Sequence, residues 1–334
     1  MSQVADAILF TLEQAGITPA APVLIIMGAD TKLSAHFPGA TIWHPQADQT
    51  SQWSHRAHPV LSDLGGDREF QSVIIFCPRQ KEESLYLIAQ GLGMLKDGGT
   101  LIAAADNLSG GQSLPKLFAQ LGAESANQSK HKCRVVWTNA PHTVDPMAIA
   151  RAVGAGAPQE RADGLTTQPG LFSWNRTDKG TDALLHHLPF SLAGIGADFG
   201  CGIGVLGQRL LQRYSAITKL YCIDNDSRAI ACCRKNLEQW QDRCDFMWAD
   251  VRKLPQLPLL DFIVMNPPFH EGKADANLLG QNFITSAAAH LKPGGMLVLV
   301  ANVHLPYESL LHQHFSLHRL VSSENGYKII EAVK

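Results

Sequence analysis

The second half of the chain alternates short apolar runs with longer amphipathic stretches. The apolar runs, each typical of a buried strand, are AGIGADFG, KLYCID, CDFMWAD, LDFIVMN and MLVLVAN. The stretches with helical spacing are GVLGQRLLQRY, SRAIACCRKNLEQW and GQNFITSAAAHL. Strands separated by helices in this way predict a parallel sheet with helices on both faces. The final segment, FSLHRLVSSENGYKIIEAVK, predicts an antiparallel hairpin that turns at Glu324-Asn325-Gly326.

The first half of the chain repeats this pattern. The segments VLIIMGAD, VIIFCPRQ and LKDGGTLIAAADN correspond, in the same order, to AGIGADFG, FIVMNPPF and LKPGGMLVLVANV. The order of the matching strands carries more weight than the Lys-x-Gly-Gly turns, which are common. We therefore predict two tandem copies of one α/β domain, residues 1–150 and residues 168–334, with a Gly/Ala/Pro-rich linker over residues 151–167.

The first copy lacks two features of the second. After its first strand the chain runs GADTKLSAHF, without a further glycine. In the alignment above, Cys77-Pro78-Arg79 stands where the second copy has Asn266-Pro267-Pro268. We predict that the first copy is degenerate and serves as a scaffold or in substrate recognition.

Length and charge narrow the functional classes. The 334 residues suffice for two domains of roughly 150 residues each. The formal charge of −2 is less positive than expected for a protein that grips naked nucleic acid through phosphates. No apolar run approaches the ~18 residues of a membrane span. Seven cysteines without metal-like spacing indicate reduced thiols in the cytoplasm. We expect neither a membrane nor a metal partner.

A glycine-rich loop follows the first strand of the second copy. In ADFGCGIGVLG, Gly200, Gly202 and Gly204 allow a ligand to approach backbone amides closely. Gly202-x-Gly204-x-x-Gly207 also satisfies the weak dinucleotide fingerprint. Asp198 distinguishes between a dinucleotide and a cationic ligand, because a carboxylate repels a pyrophosphate and attracts a cation. S-adenosyl-L-methionine carries both an ammonium and a sulfonium, so it suits this loop.

Further acids end the next two strands. Asp224 is placed to accept hydrogen bonds from two ribose hydroxyls, a role found in both cofactor classes. Asp250 closes CDFMWAD, where its carboxylate can accept from an adenine amino group. Asp226 is a helix N-cap candidate, and we assign it that structural role.

Two prolines make the end of LDFIVMN rigid. Pro267 and Pro268 lack amide donors, fix φ near −65° and push the preceding residue to extended geometry. Asn266 Oδ1 and the Pro267 carbonyl can then accept both N–H groups of an exocyclic amine and stabilise positive charge developing on it. Phe269 offers a ring face for a base swung out of its stack. This arrangement indicates methyl transfer to an amine on a base.

These motifs together resemble a known family. Asp198-x-Gly200-x-Gly202-x-Gly204, Asp224, Asp250 and Asn266-Pro267-Pro268-Phe269, in this order, resemble the class I S-adenosylmethionine-dependent methyltransferases that modify exocyclic amines. QPGLFSWNRTDKGTDALLHHLP, NPPFHEG and LVLVANVHLPYESLLHQHF are similar to the bacterial small-subunit rRNA guanine-N2 methyltransferases of the C type. The resemblance covers nearly the whole chain. It implies two Rossmann-like domains, the N-terminal one degenerate, and methylation of the N2 amine of a guanosine in 16S rRNA of the assembled small subunit. We expect the protein to act in the cytoplasm and as a monomer.

The resemblance also implies roles for individual residues. Asp178-Lys179-Gly180-Thr181 matches a family motif near the methionine end of the cofactor. The implied cofactor-binding residues are Asp178, Gly180, Asp198, Gly200, Gly202, Gly204, Asp224 and Asp250. Asn266 and Pro267 would hold the amine, and Phe269 would stack on the base.

Other functions remain open from sequence. Asn-Pro-Pro-aromatic motifs also serve N6-adenine and glutamine-amide methyltransferases. A nicotinamide-dependent dehydrogenase would explain the glycines and Asp224 but leave Asp198 and Asn266 without a role. A non-catalytic ribosome assembly factor would be expected to lose the site residues, which the second copy retains.

Overall fold

The computed structural model describes residues 3–28, 30, 32–67, 69–138, 144–268 and 273–334, with side chains from residue 278 onward in the last range. The chain divides into two compact units, Met1–Pro158 and Gln159–Lys334. The elements of the first unit are α1 (Gln3–Gln14), β1 (Val23–Ile26), α2 (Leu33–His36), β2 (Thr41–Trp43), α3 (Ala47–Ser54), β3 (Phe70–Phe76), α4 (Lys81–Gly93), β4 (Leu95–Asp106), α5 (Leu114–Gln120), β5 (Ala126–Lys130), β6 (Cys133–Thr138) and α6 (Pro146–Gly156).

The second unit begins with a short two-stranded sheet and continues as an α/β domain. Its elements are β7 (Gln159–Glu160), β8 (Thr166–Thr167), α7 (Lys179–His186), β9 (Gly194–Phe199), α8 (Val205–Arg213), β10 (Ile217–Asp224), α9 (Ser227–Asn236), β11 (Cys244–Trp248), β12 (Leu260–Met265), α10 (Lys273–His290), β13 (Leu291–Asn302), α11 (Glu308–His314), β14 (Leu317–Glu324) and β15 (Tyr327–Val333).

The two units share one sheet topology. The first sheet has the order β2-β1-β3-β4-β6-β5, and the second has β11-β10-β9-β12-β13-β15-β14. Strands pair in parallel up to β4 and β13, and each sheet ends in an antiparallel hairpin. The second sheet differs by the additional outer strand β11. The predicted α/β duplication with parallel sheets and a C-terminal antiparallel hairpin is therefore confirmed.

Strand β12 shows why the sheet runs are apolar throughout. Phe262 and Val264 pack into the cluster formed with α7, α8 and α9, whereas Ile263 and Met265 face α10. All four are at most 1% exposed. Helices cover both faces of this parallel strand, so alternate residues enter different cores and both sets must be apolar.

The C-terminal hairpin turns where the sequence predicts. Asn325 and Gly326 join β14 to β15 with φ of 53° and 83°, the left-handed geometry of a two-residue hairpin turn. The equivalent turn of the first unit is formed by His131 and Lys132, with φ of 51° and 60°. There the same backbone is built from two residues with β-carbons.

Strand register corrects one alignment made from sequence. Val73 pairs with Leu101, and Ile263 pairs with Leu297. Leu101 and Leu297 hold the same place in the matching LKDGGTL and LKPGGML segments, so Val73 corresponds to Ile263. The prediction that Cys77-Pro78-Arg79 replaces Asn266-Pro267-Pro268 is thus wrong by one residue. Phe76 is the residue equivalent to Asn266.

The segment expected to be a linker, residues 151–167, is largely regular structure. Helix α6 continues to Gly156 and packs on α4, where a β-carbon on Gly156 would collide with the Tyr86 side chain. Ala148 and Ala152 are buried on the same stripe. The small residues that suggested flexibility instead permit close packing of two helices. None of the helices in the described ranges has the length and apolar character needed to cross a membrane.

Candidate functional site

The glycine loop connects β9 to α8 through three left-handed residues. Gly200, Gly202 and Gly204 have φ of 74°, 53° and 89°, a region that side chains with a β-carbon rarely adopt. A β-carbon on Gly204 would also lie 2.8 Å from the Cys233 sulfur. The loop therefore needs glycine for its backbone and for its approach to α9.

Asp224, at the end of β10, holds this loop in place. Its Oδ2 accepts from the Gly202 amide at 2.8 Å, and its Oδ1 accepts from the Asp226 amide at 2.9 Å. Removal from solvent raises the pKa of Asp224 to about 6, although these two amides act in the opposite direction. Asp226 caps α9, accepting from the Arg228 amide as predicted.

Asp198 is buried rather than displayed on the loop. It is 0% exposed, and neither carboxylate oxygen has a hydrogen-bond partner among the residues that the structure describes. The backbone amide of Gly207, in the first turn of α8, favours the ionised carboxylate and so acts to lower its pKa. Burial and then the charge of Asp224 raise the pKa of Asp198 to about 7. A buried carboxylate without a partner is costly, so Asp198 is a local source of instability beneath the loop.

Asp250 follows β11 and caps a short 3-10 helix, Val251–Lys253. Its Oδ1 accepts from the backbone amide of Arg252 at 2.9 Å and from its Nε at 2.8 Å. The side chain of Asp250 is only 9% exposed. A carboxylate has about four acceptor positions, so this ion pair leaves further lone pairs on Asp250.

Asn266 follows β12 and is held by the motif that precedes α7. Its Nδ2 donates to Asp178 Oδ2 at 3.0 Å and to Thr181 Oγ1 at 2.9 Å. Asp178 caps α7 through the same Oδ2, which accepts from the amides of Gly180 at 2.8 Å and Thr181 at 3.1 Å. Pro267 is buried next to Asn266. Phe269 lies outside the described residues.

These elements enclose one cleft at the carboxyl ends of β9 and β12. It is lined by Phe172, Ser173, Thr177, Asp178, Thr181, Gly200, Cys201, Gly202, Ile203, Val205, Leu206 and Asn266. The structure thus brings the predicted residues Asp178, Gly200, Gly202 and Asn266 to one surface. Of the other predicted cofactor residues, Asp198 lies beneath this surface, Asp224 ends β10, and Asp250 follows the neighbouring strand β11.

Two other kinds of site find little support in this unit. The Cys201 thiol is buried, and burial raises its pKa, which disfavours a nucleophilic thiolate. Over the described ranges, no group of three or more His, Cys, Asp or Glu side chains is arranged to hold a metal ion.

Family comparisons match both units. Residues 163–331 match the family described as Methyltransferase small domain, and residues 27–153 match Methyltransferase small domain N-terminal. The Ribosomal RNA small subunit methyltransferase C of Shewanella pealeana is 32% identical over 275 residues, covering 81% of this chain and 80% of the relative. The protein of the same name from Ectopseudomonas mendocina is 30% identical and covers 87% of each chain. The chain belongs to the ribosomal RNA small subunit methyltransferase C family.

A solved structure shares the fold of this family member. It is the T. thermophilus 16S rRNA N2 G1207 methyltransferase, RsmC, in complex with AdoMet and guanosine. The TM-score is 0.79 at 21% identity, with 97% of this chain and 91% of that chain covered. The two-domain methyltransferase layout is therefore common to both chains.

The structure adds one cleft element that the residue-level reading missed. The segment from Phe172 to Thr177 forms an edge of the cleft, and Phe172 is 48% exposed there. Arg161 supports it, donating from Nη1 to the Ser173 carbonyl at 2.9 Å and from Nη2 to Thr177 Oγ1 at 3.2 Å. This segment lies in the stretch QPGLFSWNRTDKGT, which resembles the family, but a role was predicted from sequence only for the Asp-x-Gly-Thr motif at its end.

Proposed function

We propose that this protein transfers a methyl group from S-adenosyl-L-methionine to the exocyclic N2 amine of a guanosine in 16S rRNA of the small ribosomal subunit. The observation that carries the proposal is the orientation of the Asn266 amide. Its Nδ2 is occupied by Asp178 and Thr181, and the described residues supply no donor to its Oδ1. An acceptor at the end of β12 is what an N–H donor on a substrate requires.

The residues of the second unit fit the proposed cofactor. Asp198 is a buried carboxylate beneath the glycine loop, without a hydrogen-bond partner among the described residues. A cation bound over that loop would compensate the ionised carboxylate, whereas the pyrophosphate of a nicotinamide dinucleotide would repel it. We propose that Asp224 and Asp250 hold the adenosine part and that Gly200, Gly202 and Gly204 provide close backbone approach. Asp178 and Gly180 would bound the methionine end.

Bound there, S-adenosyl-L-methionine supplies an electrophilic methyl group on a sulfonium. The chain's own contribution is to orient the amine. We propose that Asn266 Oδ1 and the Pro267 carbonyl accept its two N–H groups, which orients the amine and leaves the nitrogen lone pair free to attack. As the nitrogen gains positive charge, the same two acceptors stabilise it. The proton then leaves to water, so no strong base is needed. Stacking of the base on Phe269 stays a prediction.

The names of the relatives support rRNA as the substrate, and the T. thermophilus structure contains guanosine and AdoMet. The formal charge of −2 supports an assembled particle over naked RNA as the form recognised. We propose a scaffold or substrate-recognition role for the first unit, Met1–Pro158. We further propose that the protein acts as a monomer in the cytoplasm, where small subunits are assembled.

The test uses labelled S-adenosyl-L-methionine with unmodified small subunits, naked 16S rRNA, tRNA and DNA in parallel, and identifies the labelled nucleoside by chromatography. We expect N2-methylguanosine from small subunits and none with Asn266→Ala. Label in N6-methyladenosine or on protein would overturn the guanine assignment and retain the methyltransferase. Cofactor binding without transfer to any substrate would instead support an assembly factor.

A further inference from the structure

The two ends of an asparagine amide have the same shape but opposite hydrogen-bonding character. If the Asn266 amide turned by 180° about its last torsion, it would present N–H groups to the cleft in place of a carbonyl oxygen. Two donors would then face each other when an amine entered. The activity proposed above therefore depends on which end of Asn266 points towards the substrate.

Two groups at the start of α7 hold the amide, and one of them, the Asp178 carboxylate, specifies its orientation. Asp178 Oδ2 lies 3.0 Å from Asn266 Nδ2, and Thr181 Oγ1 lies 2.9 Å from it. An amide oxygen in the place of Nδ2 would place one acceptor against another, the Asp178 carboxylate. The flipped amide would lose its hydrogen bond to Asp178 and gain a repulsive contact there, whereas the Thr181 hydroxyl, which can donate as well as accept, would bond to either end of the amide.

Both acceptors are themselves held in place. Asp178 Oδ2 also accepts from the backbone amides of Gly180 and Thr181 at the start of α7, where the helix dipole favours a carboxylate. Thr181 is only 7% exposed. We call the two hydrogen bonds from Asn266 Nδ2 to Asp178 and Thr181 the lock on Asn266. Because Asp178 caps α7 and Thr181 is buried in its first turn, both of these side chains are held rigidly.

Gly180 is required by the same arrangement. A β-carbon at this position would lie 2.8 Å from Asp178 Oδ2 and 3.0 Å from the Tyr327 ring. Tyr327 begins β15 and lies close enough to Asp178 for that negative charge, after burial, to raise the pKa of the tyrosine. Glycine at position 180 leaves room for both the Asp178 carboxylate and the Tyr327 ring. This explains the spacing of Asp178-x-Gly180-Thr181 by contacts within the protein.

We propose that Thr181 and Asp178 are positioning residues that fix the Asn266 amide with Oδ1 towards the substrate amine, an inference that rests on the proposed function. The lock makes the site selective for a hydrogen-bond donor at this point. A base with a carbonyl oxygen or with hydrogen in place of the amine would leave Oδ1 without a partner. In this proposal Thr181 and Asp178 influence the base only by orienting Asn266, and they do not contact the base.

The decisive pair of variants is Thr181→Val and Thr181→Ser. Valine matches threonine in shape but removes Oγ1, whereas serine keeps the hydroxyl. Losing one hydrogen bond to the amide should lower kcat for small subunits about tenfold, with the affinity for S-adenosyl-L-methionine, measured by calorimetry, changed less than twofold. Thr181→Ser should restore most of the lost turnover. Thr285→Val, on the exposed side of α10, is a matched control and should retain wild-type kinetics.

A second readout reports the amide without any turnover. In protein labelled with 15N-asparagine, the Asn266 side-chain signal is assigned by its loss in Asn266→Ala. Its two amide protons should exchange slowly in wild type and at least fivefold faster in Thr181→Val. If Thr181→Val does not fold, Asp178→Asn provides the same test, because asparagine retains the helix cap but has a weaker, neutral acceptor.

The two proposals fail in different ways. If wild-type protein places no label in N2-methylguanosine but Asn266 exchanges slowly, the proposed function is wrong and the lock is present. If wild type is active and Thr181→Val matches it in both kcat and amide exchange, the positioning role is overturned. An equal loss of kcat in Thr181→Ser and Thr181→Val would also overturn it. That result would show that the loss comes from changed packing and not from the missing hydroxyl.

Discussion

The two units share one fold but differ in the polarity of the side chains near the carboxyl ends of their strands. Register places Ile25 in β1 opposite Ile74, and Asp198 in β9 opposite Val264, at equivalent positions. Both Ile25 and Asp198 are 0% exposed. The first unit fills this position with a hydrocarbon side chain, and the second fills it with a buried carboxylate. The sheet forms in either case, so Asp198 is not needed for the fold and its burial opposes stability.

The loop after the first strand shows a similar contrast. Met27 has φ of 59° where Gly200 has 74°, so the left-handed turn persists without glycine. Trp53 in α3 occupies the same place relative to the helix N-cap as Cys233 in α9, and its indole donates to the Gly28 carbonyl. A fully buried indole therefore stands in the first unit where the second has a thiol against a glycine loop.

One hydrogen bond survives in both units. His44 accepts from the Gln46 amide through Nδ1 at 3.1 Å, as Asp224 accepts from the Asp226 amide at 2.9 Å. The part of the interaction that supports the strand-to-helix turn is retained, while the carboxylate that we propose binds a ribose is absent from the first unit. Backbone support and ligand chemistry are thus separable at the same position.

The largest expected effect comes from making the second unit like the first at the end of β12. Asn266→Phe should lower kcat about 100–1,000-fold, because the amine loses a preorganised acceptor. Methyl transfer to small subunits measures this. The mirror change Phe76→Leu conserves apolar volume and should retain wild-type transfer. Equal activity of wild type and Asn266→Phe would exclude Asn266 from the reaction.

Truncating the indole of the first unit should have a large effect on stability. Trp53→Ala should lower the free energy of unfolding of that unit by about 3–5 kcal/mol, since it leaves a cavity and frees the Gly28 carbonyl. Denaturant unfolding checks this, with Phe190→Ala, at 98% exposed, as the surface control expected within about 0.5 kcal/mol. If both variants lose the same amount, Trp53 does not fill the core as described.

The buried carboxylates predict an unusual dependence of stability on pH. The pKa of Asp198 rises from 3.8 unfolded to about 7 folded, so the folded state binds more protons between these values. Without ligand, stability should therefore fall as pH rises from about 4 to about 7, by at most about 1.4 kcal/mol per pH unit. Asp224, with a pKa of about 6, acts in the same direction.

Asp198→Asn removes the titrating group at nearly constant volume. It should reduce this slope and melt above wild type at pH 8, while binding S-adenosyl-L-methionine more weakly because the compensating negative charge is absent. Thermal melts from pH 4 to pH 8 with and without cofactor measure both effects. An unchanged slope in Asp198→Asn would show that its carboxyl does not titrate in this range.

The smallest expected effect is at the hairpin turns. Gly326 has φ of 83°, and the equivalent Lys132 adopts φ of 60° with a β-carbon. Gly326→Lys should lower the free energy of unfolding by about 1 kcal/mol, whereas Lys132→Gly should raise it by a few tenths to about 1 kcal/mol. Chemical denaturation of each variant is the measurement. Opposite signs would indicate that side-chain contacts at the turn outweigh the backbone preference.

The amino-acid pattern by itself determined the duplicated α/β plan, the final hairpin, the glycine loop and the acids at successive strand ends. Helix-covered strands require unbroken apolar runs, and tight turns require glycine, so these features are local and visible in one sequence. Asp224, Asn266 and the cap at Asp226 could be located because each ends or begins a periodic element.

Only the tertiary structure determined the strand register, the burial of Asp198 and the long-range contacts, which the amino-acid pattern leaves ambiguous. A parallel strand buried on both faces has no polar alternation to fix its register, which is why the alignment of Phe76 with Asn266 was missed by one residue. The burial of Asp198 depends on how α8 packs over β9. The bond between Asp178 and Asn266 joins residues 88 positions apart. Such contacts arise only when separate elements meet, and no local spacing encodes them.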